Sequence, residues 1–164
     1  MEAETTLASV GAGAEAGTGL VAFGRVAARL ARQVEVGLTK VDLSLPQYRI
    51  MSFLDEGWTG ASKLAEHLAV SRPTVTAVVD GLVARGLVAR RHEDGDRRRV
   101  SHTLTPAGSQ LLETADQIVD DRLNEIAAHL GDDEQAAQAL RGLECWRRAL
   151  DGYRVTKMMR KSPQ

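Results

Sequence analysis

The sequence predicts a mainly α-helical fold with a small β-hairpin. Three observations carry this. Apolar residues recur every three or four positions along several stretches. Three of those stretches open on a capping Ser or Thr with Pro just inside, at Ser44/Pro46, Ser71/Pro73 and Thr105/Pro106. One Asp-Gly pair, Asp94-Gly95, separates two short strand-like segments, which is hairpin turn chemistry.

Residues 1–17 are Ala/Gly-rich with no apolar period, so a flexible tail is expected. Leu20, Phe23, Ala27, Leu30 and Val34 mark one face of a first helix. "SLPQYRIMSFLDEG" gives a short helix capped by Ser44 and closed by Gly57. "GASKLAEHLAV" gives another, with Leu64, Ala65 and Leu68 inward. In "SRPTVTAVVDGLVARG", Val75, Val78, Val79, Leu82 and Val83 form a complete apolar stripe. Its other side carries Pro73, Thr74, Thr76, Ala77, Asp80 and Ala84, all short, and Gly86 ends it. "LVARRHE" and "RRVSHTLT" are the two strands. A long helix follows from Thr105, with Leu112, Ala115, Val119, Leu123, Ile126 and Leu130 on one face and Gly131 as its break. Asp132 caps a last helix, with Ala136, Leu140, Leu143, Trp146 and Leu150 as its face, and 156–164 reads as a basic tail. A single chain offers these last two stripes too little to bury against, which predicts a homodimer.

At 164 residues the chain is one domain's worth. Its single cysteine, Cys145, allows no intrachain disulfide. No apolar run is long enough to span a membrane and no secretory signal is visible, so a cytoplasmic protein is expected. Net charge is −1, but its distribution is uneven. Ala61–Pro106 holds eight Lys/Arg against five Asp/Glu, whereas Ala107–Asp151 holds four against ten. The basic centre suits a polyanion. Five of its arginines fall within "RRHEDGDRRR", Arg90–Arg99, so they flank the hairpin turn.

Two short helices joined by "AVSR" and followed by a hairpin form a helix-turn-helix with a wing. The second helix of such a pair can enter the major groove of duplex DNA. Its small outward residues let the backbone approach base edges. Thr74 and Thr76 can bond bases or phosphates, and Ala77 can touch a thymine methyl. Ser71, Arg72 and Pro73 set the helix N-terminus, which with Arg72 can hold a phosphate. The wing arginines Arg97, Arg98 and Arg99 can reach the minor groove or its phosphates. If Arg97 and Arg99 keep strand alternation, at least one contacts only phosphate or solvent.

The stretch "LAEHLAVSRPTVTAVVDGLVARGLVARRHEDGDRRRVSHTLTPAG" resembles the MarR family of bacterial transcriptional regulators. The motifs are Leu-Ala-x-x-Leu, Ser-x-Pro-Thr-Val-Thr, Gly-Leu-Val-x-Arg, the wing's Asp96-Arg97-Arg98 and Leu104–Gly108. The resemblance covers roughly residues 20–155. It implies a transcriptional regulator, expected to be a repressor, whose homodimer straddles a pseudo-palindromic operator and is released by a small-molecule effector. It implies one domain over 18–155, with 18–45 and 106–155 as dimerisation helices and 46–105 as the winged lobe. Arg98 resembles the arginine that enters the minor groove, and Asp96 the acid that braces it. Two departures are a longer N-terminal tail and Arg99 where a small residue is common.

Phe23, Tyr48 and Phe53 are candidates for an effector pocket, the alternative being that they are core. Cys145 offers a second route, thiol-based sensing, against the simpler reading of a packed small side chain. A third possibility is a helical dimer that binds a ligand or protein without reading DNA; five wing arginines argue against it. His67, His92, His102 and His129 show no ligand spacing, so no metal site is expected. Asp132-Asp133-Glu134 reads as helix N-terminal chemistry. No nucleophile triad or phosphate cradle is present, so neither an enzyme nor a cofactor is expected.

Overall fold

A computed structural model describes residues 19–93 and 96–161. The tail assigned to 1–17 and the turn at Asp94-Gly95 lie outside the described residues, as do 162–164. Helix α1 runs Leu20–Leu38 and passes through a single 3₁₀ turn, Thr39–Val41, into α2, Leu45–Asp55. Helices α3 (Ala61–Leu68) and α4 (Arg72–Ala84) precede strands β1 (Val88–Glu93) and β2 (Asp96–Leu104). Helices α5 (Pro106–Ala127) and α6 (Asp133–Lys161) complete the chain. Thr156–Lys161, assigned above to a tail, continue α6. Among the described residues no helix is long and apolar enough to cross a membrane.

The caps act as their residue types require. The Ser44 hydroxyl accepts from the Gln47 N–H, and the Gln47 side chain accepts from the Ser44 N–H, a reciprocal box. Ser71 accepts from the Thr74 N–H, and Thr105 from the Gly108 N–H. Gly57 and Gly86 take positive φ where α2 and α4 end. The turn between α3 and α4 uses Ala69 at φ 55, a left-handed position filled without glycine. Val70 N–H donates to the Ala65 carbonyl and closes that turn.

The core gathers Leu38, Ile50, Met51, Leu54, Leu64, Leu68, Val75, Val79, Leu82 and Val88 with Leu112, Ala115 and Val119. It therefore joins the end of α1, the winged lobe and the first half of α5. This corrects one expectation: the chain itself buries the α5 stripe as far as Val119. Helix α5 also ends at Ala127, ahead of Gly131, leaving Leu130 exposed. What stays uncovered is the start of α1 and the face of α6. Leu20 is 75% exposed and Leu140 67%, with Leu143, Leu150 and Tyr153 similarly open. Phe23 and Trp146 stack across these two helices, with ring centres 4.5 Å apart.

One contact fixes where α5 begins. A Cβ at Gly108 would lie 2.0 Å from the Leu87 carbonyl oxygen, backbone against backbone. Thr105 holds the same corner: its N–H donates to the Leu87 carbonyl and its hydroxyl to the Gly86 carbonyl at 2.7 Å. In an open helix Gly→Ala would stabilise by about 1 kcal/mol. Here Gly108→Ala is expected to destabilise by about 2–4 kcal/mol, lowering the melting temperature by about 5–15 °C. Thermal unfolding of the two proteins checks this; an equal or higher midpoint for the variant would refute it.

Candidate nucleic-acid interface

Helix α4 has two unlike sides. Val75, Val79 and Leu82 are buried, while Ser71, Arg72, Pro73, Thr74, Thr76, Ala77 and Asp80 are exposed. Apolar spacing dictates which side faces the core, so the short residues are left outward. Two hydroxyls there already have partners. Thr74 Oγ1 lies 2.7 Å from Ser71 Oγ, and the Thr76 hydroxyl donates to the Arg72 carbonyl at 3.0 Å. Thr76 thus offers a methyl group and an acceptor lone pair.

The wing rises from the end of α4. Val88 pairs with Leu104, and the antiparallel register holds through Arg90↔His102 and Arg91↔Ser101 to His92↔Val100. It then shifts, because Glu93 pairs with Asp96. Arg97, Arg98 and Arg99 fall inside that shift. Of these three and Asp96, only the strand course is described. Arg90 pairs instead with Asp80 of α4.

A short bridge between Gly60 and Ser101 lays the α2–α3 loop along β2. At that seam the Thr59 carbonyl accepts from His102 N–H at 2.9 Å and lies 3.1 Å from His102 Nδ1. His102 is buried, as is His67, whose Nδ1 lies 3.0 Å from the Lys63 carbonyl. His67 also packs against Trp58, ring centres 3.9 Å apart, and against Phe53 edge-on. Sequence reasoning missed both burials, since His67 stands at a variable position of Leu-Ala-x-x-Leu and His102 outside the motifs.

Each of the three aromatics assigned to an effector pocket has a described partner. Phe23 stacks on Trp146, Tyr48 donates to Asp116 Oδ1 at 2.6 Å, and Phe53 meets His67. Burial, then the Asp116 carboxylate, push the Tyr48 phenol well above its usual range. Tyr48 and Phe53 also pack on the core. A cavity of about 90 Å³ lies elsewhere, between α2 and α4, lined by Pro46, Ile50, Val75 and Val78 among others. Cys145 is exposed on α6, its sulfur 3.9 Å from Arg148 Nη2.

Two short helices with a cored turn, a capped second helix with a small outward face, and a hairpin seated on its end define a winged helix-turn-helix protein. The family model for the MarR family matches residues 43–100. The regulator FarR of Neisseria gonorrhoeae is 34% identical over 95 residues, 57% of this chain and 65% of its own length. The regulator HosA of Escherichia coli O111:H- is 32% identical over 95 residues, 57% of this chain and 70% of its own. The match therefore spans a little less than two thirds of FarR. Apo MarR from E. coli superposes with a TM-score of 0.70 at 23% identity, over 80% of this chain and 98% of that one. A Mycobacterium tuberculosis MarR family protein in complex with salicylic acid superposes at 0.67 and 27% identity, over 80% and 98%. This chain belongs to the MarR family.

Burial, and after it the nearby Arg90 charge, lower the His102 pKa from 6.5, while the Thr59 carbonyl opposes them. The unfolded chain takes up a proton at His102 near pH 6.5, the folded chain only at lower pH. The stability tied to His102 is thus fully present above that value and is lost as pH falls toward the depressed folded one. Melting temperature should fall more steeply between about pH 7.5 and about pH 5.5 in the wild type than in His102→Asn. Parallel profiles would show that the ring is not held neutral.

Proposed function

We propose that the protein is a sequence-specific, DNA-binding transcriptional repressor that acts as a homodimer on a pseudo-palindromic operator. The observation that carries this reading is the exposed small-residue face of α4, capped at Ser71 and set beside an arginine-rich hairpin. Arg72, Pro73, Thr74, Thr76 and Ala77 would meet the major groove, with Ser71 fixing the helix end. Arg98 would enter the minor groove, braced by Asp96, with Arg97 and Arg99 on phosphates. An S. aureus MepR mutant of the same fold is bound to an oligodeoxyribonucleotide, at TM-score 0.57 and 21% identity. A repressor role is supported by the relative YetL of Bacillus subtilis, a transcriptional repressor 40% identical over 52 residues.

The winged lobe, 46–105, would do the reading, and 18–45 with 106–155 the pairing. The uncovered faces of α1 and α6 support the dimer. Release by a small-molecule effector belongs to the same proposal, supported by the salicylic acid held by the Mycobacterium relative. Phe23, Tyr48 and Phe53 would line the effector's pocket, Phe23 from beside Trp146 and the other two from the edge of the core.

Sedimentation at low micromolar concentration should give a dimer; a folded monomer would contradict the pairing. Binding to a selected duplex should fall with salt at a log–log slope of order −5 to −10, with half-sites roughly 10 base pairs apart. A flat salt response, or tighter binding to single strands, would overturn the reading.

Arg98→Ala and Thr76→Ala should fail differently. The first should weaken many sequences and reduce the slope by about one unit. The second should cost about 1–3 kcal/mol on the selected duplex and much less on scrambled DNA. Parallel losses on both duplexes would refute the division between helix and wing.

A further inference from the structure

We propose that the ion pair between Asp80 and Arg90 positions the wing against the recognition helix, and that Arg90 serves DNA binding through this geometry rather than as a phosphate contact. The inference rests on the DNA-binding reading above and adds a role to two residues outside it.

Asp80 stands on the exposed side of α4, four residues after Thr76 and three after Ala77, so the three share one helical stripe. Its carboxylate meets the Arg90 guanidinium, which comes from β1. Directly across the ladder from Arg90 is His102. That residue is buried and gripped by the Thr59 carbonyl through both its backbone and its ring. The hairpin root is therefore held from two sides at one level. The α2–α3 loop holds β2, and α4 holds β1. The next residue, Arg91, takes the opposite face of the strand and is exposed.

The leverage is geometric. From Arg90 to the end of β1 at Glu93 is three residues, about 10 Å of strand. A tilt of about 10° at the root moves the far end by about 2 Å, enough to take a side chain out of hydrogen-bond reach. Both partners are half-exposed, so the pair adds little to folding stability. Its effect is on where Arg97, Arg98 and Arg99 travel relative to Thr76 and Ala77.

This makes a prediction of unusual sign. Asp80 is an acid on a face that approaches phosphate. Charge alone says that Asp80→Asn should bind DNA more tightly, on any sequence. Positioning says that it should bind a cognate site more weakly, because helix and wing no longer engage together.

The test uses the full chain and two fluorescent duplexes: one selected from a random pool by the wild-type protein, and its scramble. Affinities are measured at several salt concentrations, with thermal unfolding as a fold check. Asp80→Asn should weaken the selected duplex by about tenfold and leave the scramble nearly unchanged. The charge swap Asp80→Arg/Arg90→Asp should recover most of the selected-duplex affinity, which a purely structural defect or a lost phosphate contact would not. If Asp80→Asn unfolds early, Asp80→Glu takes its place. It keeps the charge and moves the carboxylate by one methylene, so it should still lower the ratio of selected to scrambled binding. Equal or tighter binding of the variant to both duplexes, or no recovery in the swap, overturns the positioning role while leaving the DNA-binding reading intact. A wild type that selects no duplex overturns that reading itself.

Discussion

The Leu87 carbonyl occupies the space that a side chain on residue 108 would need. Only glycine lets α5 start there, and Thr105 then ties the corner with its own N–H and hydroxyl. Two bodies are joined at this point. One is the winged lobe, whose core runs from Ile50 through Val79 to Val88; the other is α5, whose Leu112, Ala115 and Val119 close that core from outside. Moving the corner would displace the wing root and the long helix together. Arg122 adds a second tie further along, its guanidinium donating twice to the Gln33 side chain of α1. Arg85 adds a third, donating to the Asp42 carbonyl at the entry to α2. The surface on α4 is thus held by a frame whose joints are mostly backbone and short polar contacts.

The amino-acid order reveals most of this architecture because its signals are local. Ser44, Ser71 and Thr105 announce helix starts, Gly57 and Gly86 announce ends, and the valines of α4 declare which side is inward. Where the determinants are nonlocal, legibility stops. Ala69 takes a left-handed conformation with no glycine to signal it. His67 and His102 look like surface histidines until Phe53 and Trp58 pack on the first and the Thr59 carbonyl meets the second. Phe23 finds its stacking partner, Trp146, on the distant α6. The α5 stripe was expected to need a second chain, yet α1 and the lobe cover it as far as Val119, whereas α6 stays bare.

Charge shows the same limit. The segment from Arg90 to Arg99 reads as a cationic arm, but Arg90 pairs with an acid ten residues earlier in the chain. Adding up charges along a sequence treats every arginine as available to a polyanion. Folding takes some of them into pairs within the protein. The register shift at Glu93 leaves three consecutive arginines of the second strand between its paired residues Asp96 and Val100.

The two tryptophans fall one in each part of this frame. Trp58 lies against the His67 imidazole in the lobe, while Trp146 lies flat on Phe23 where α6 meets α1. An indole beside an imidazole and an indole stacked on a benzene ring sit in unlike surroundings. The molecule therefore carries two built-in optical labels. One reports on the packing of the lobe and the other on the separation of α1 and α6, so each half can be followed in solution without attaching a dye.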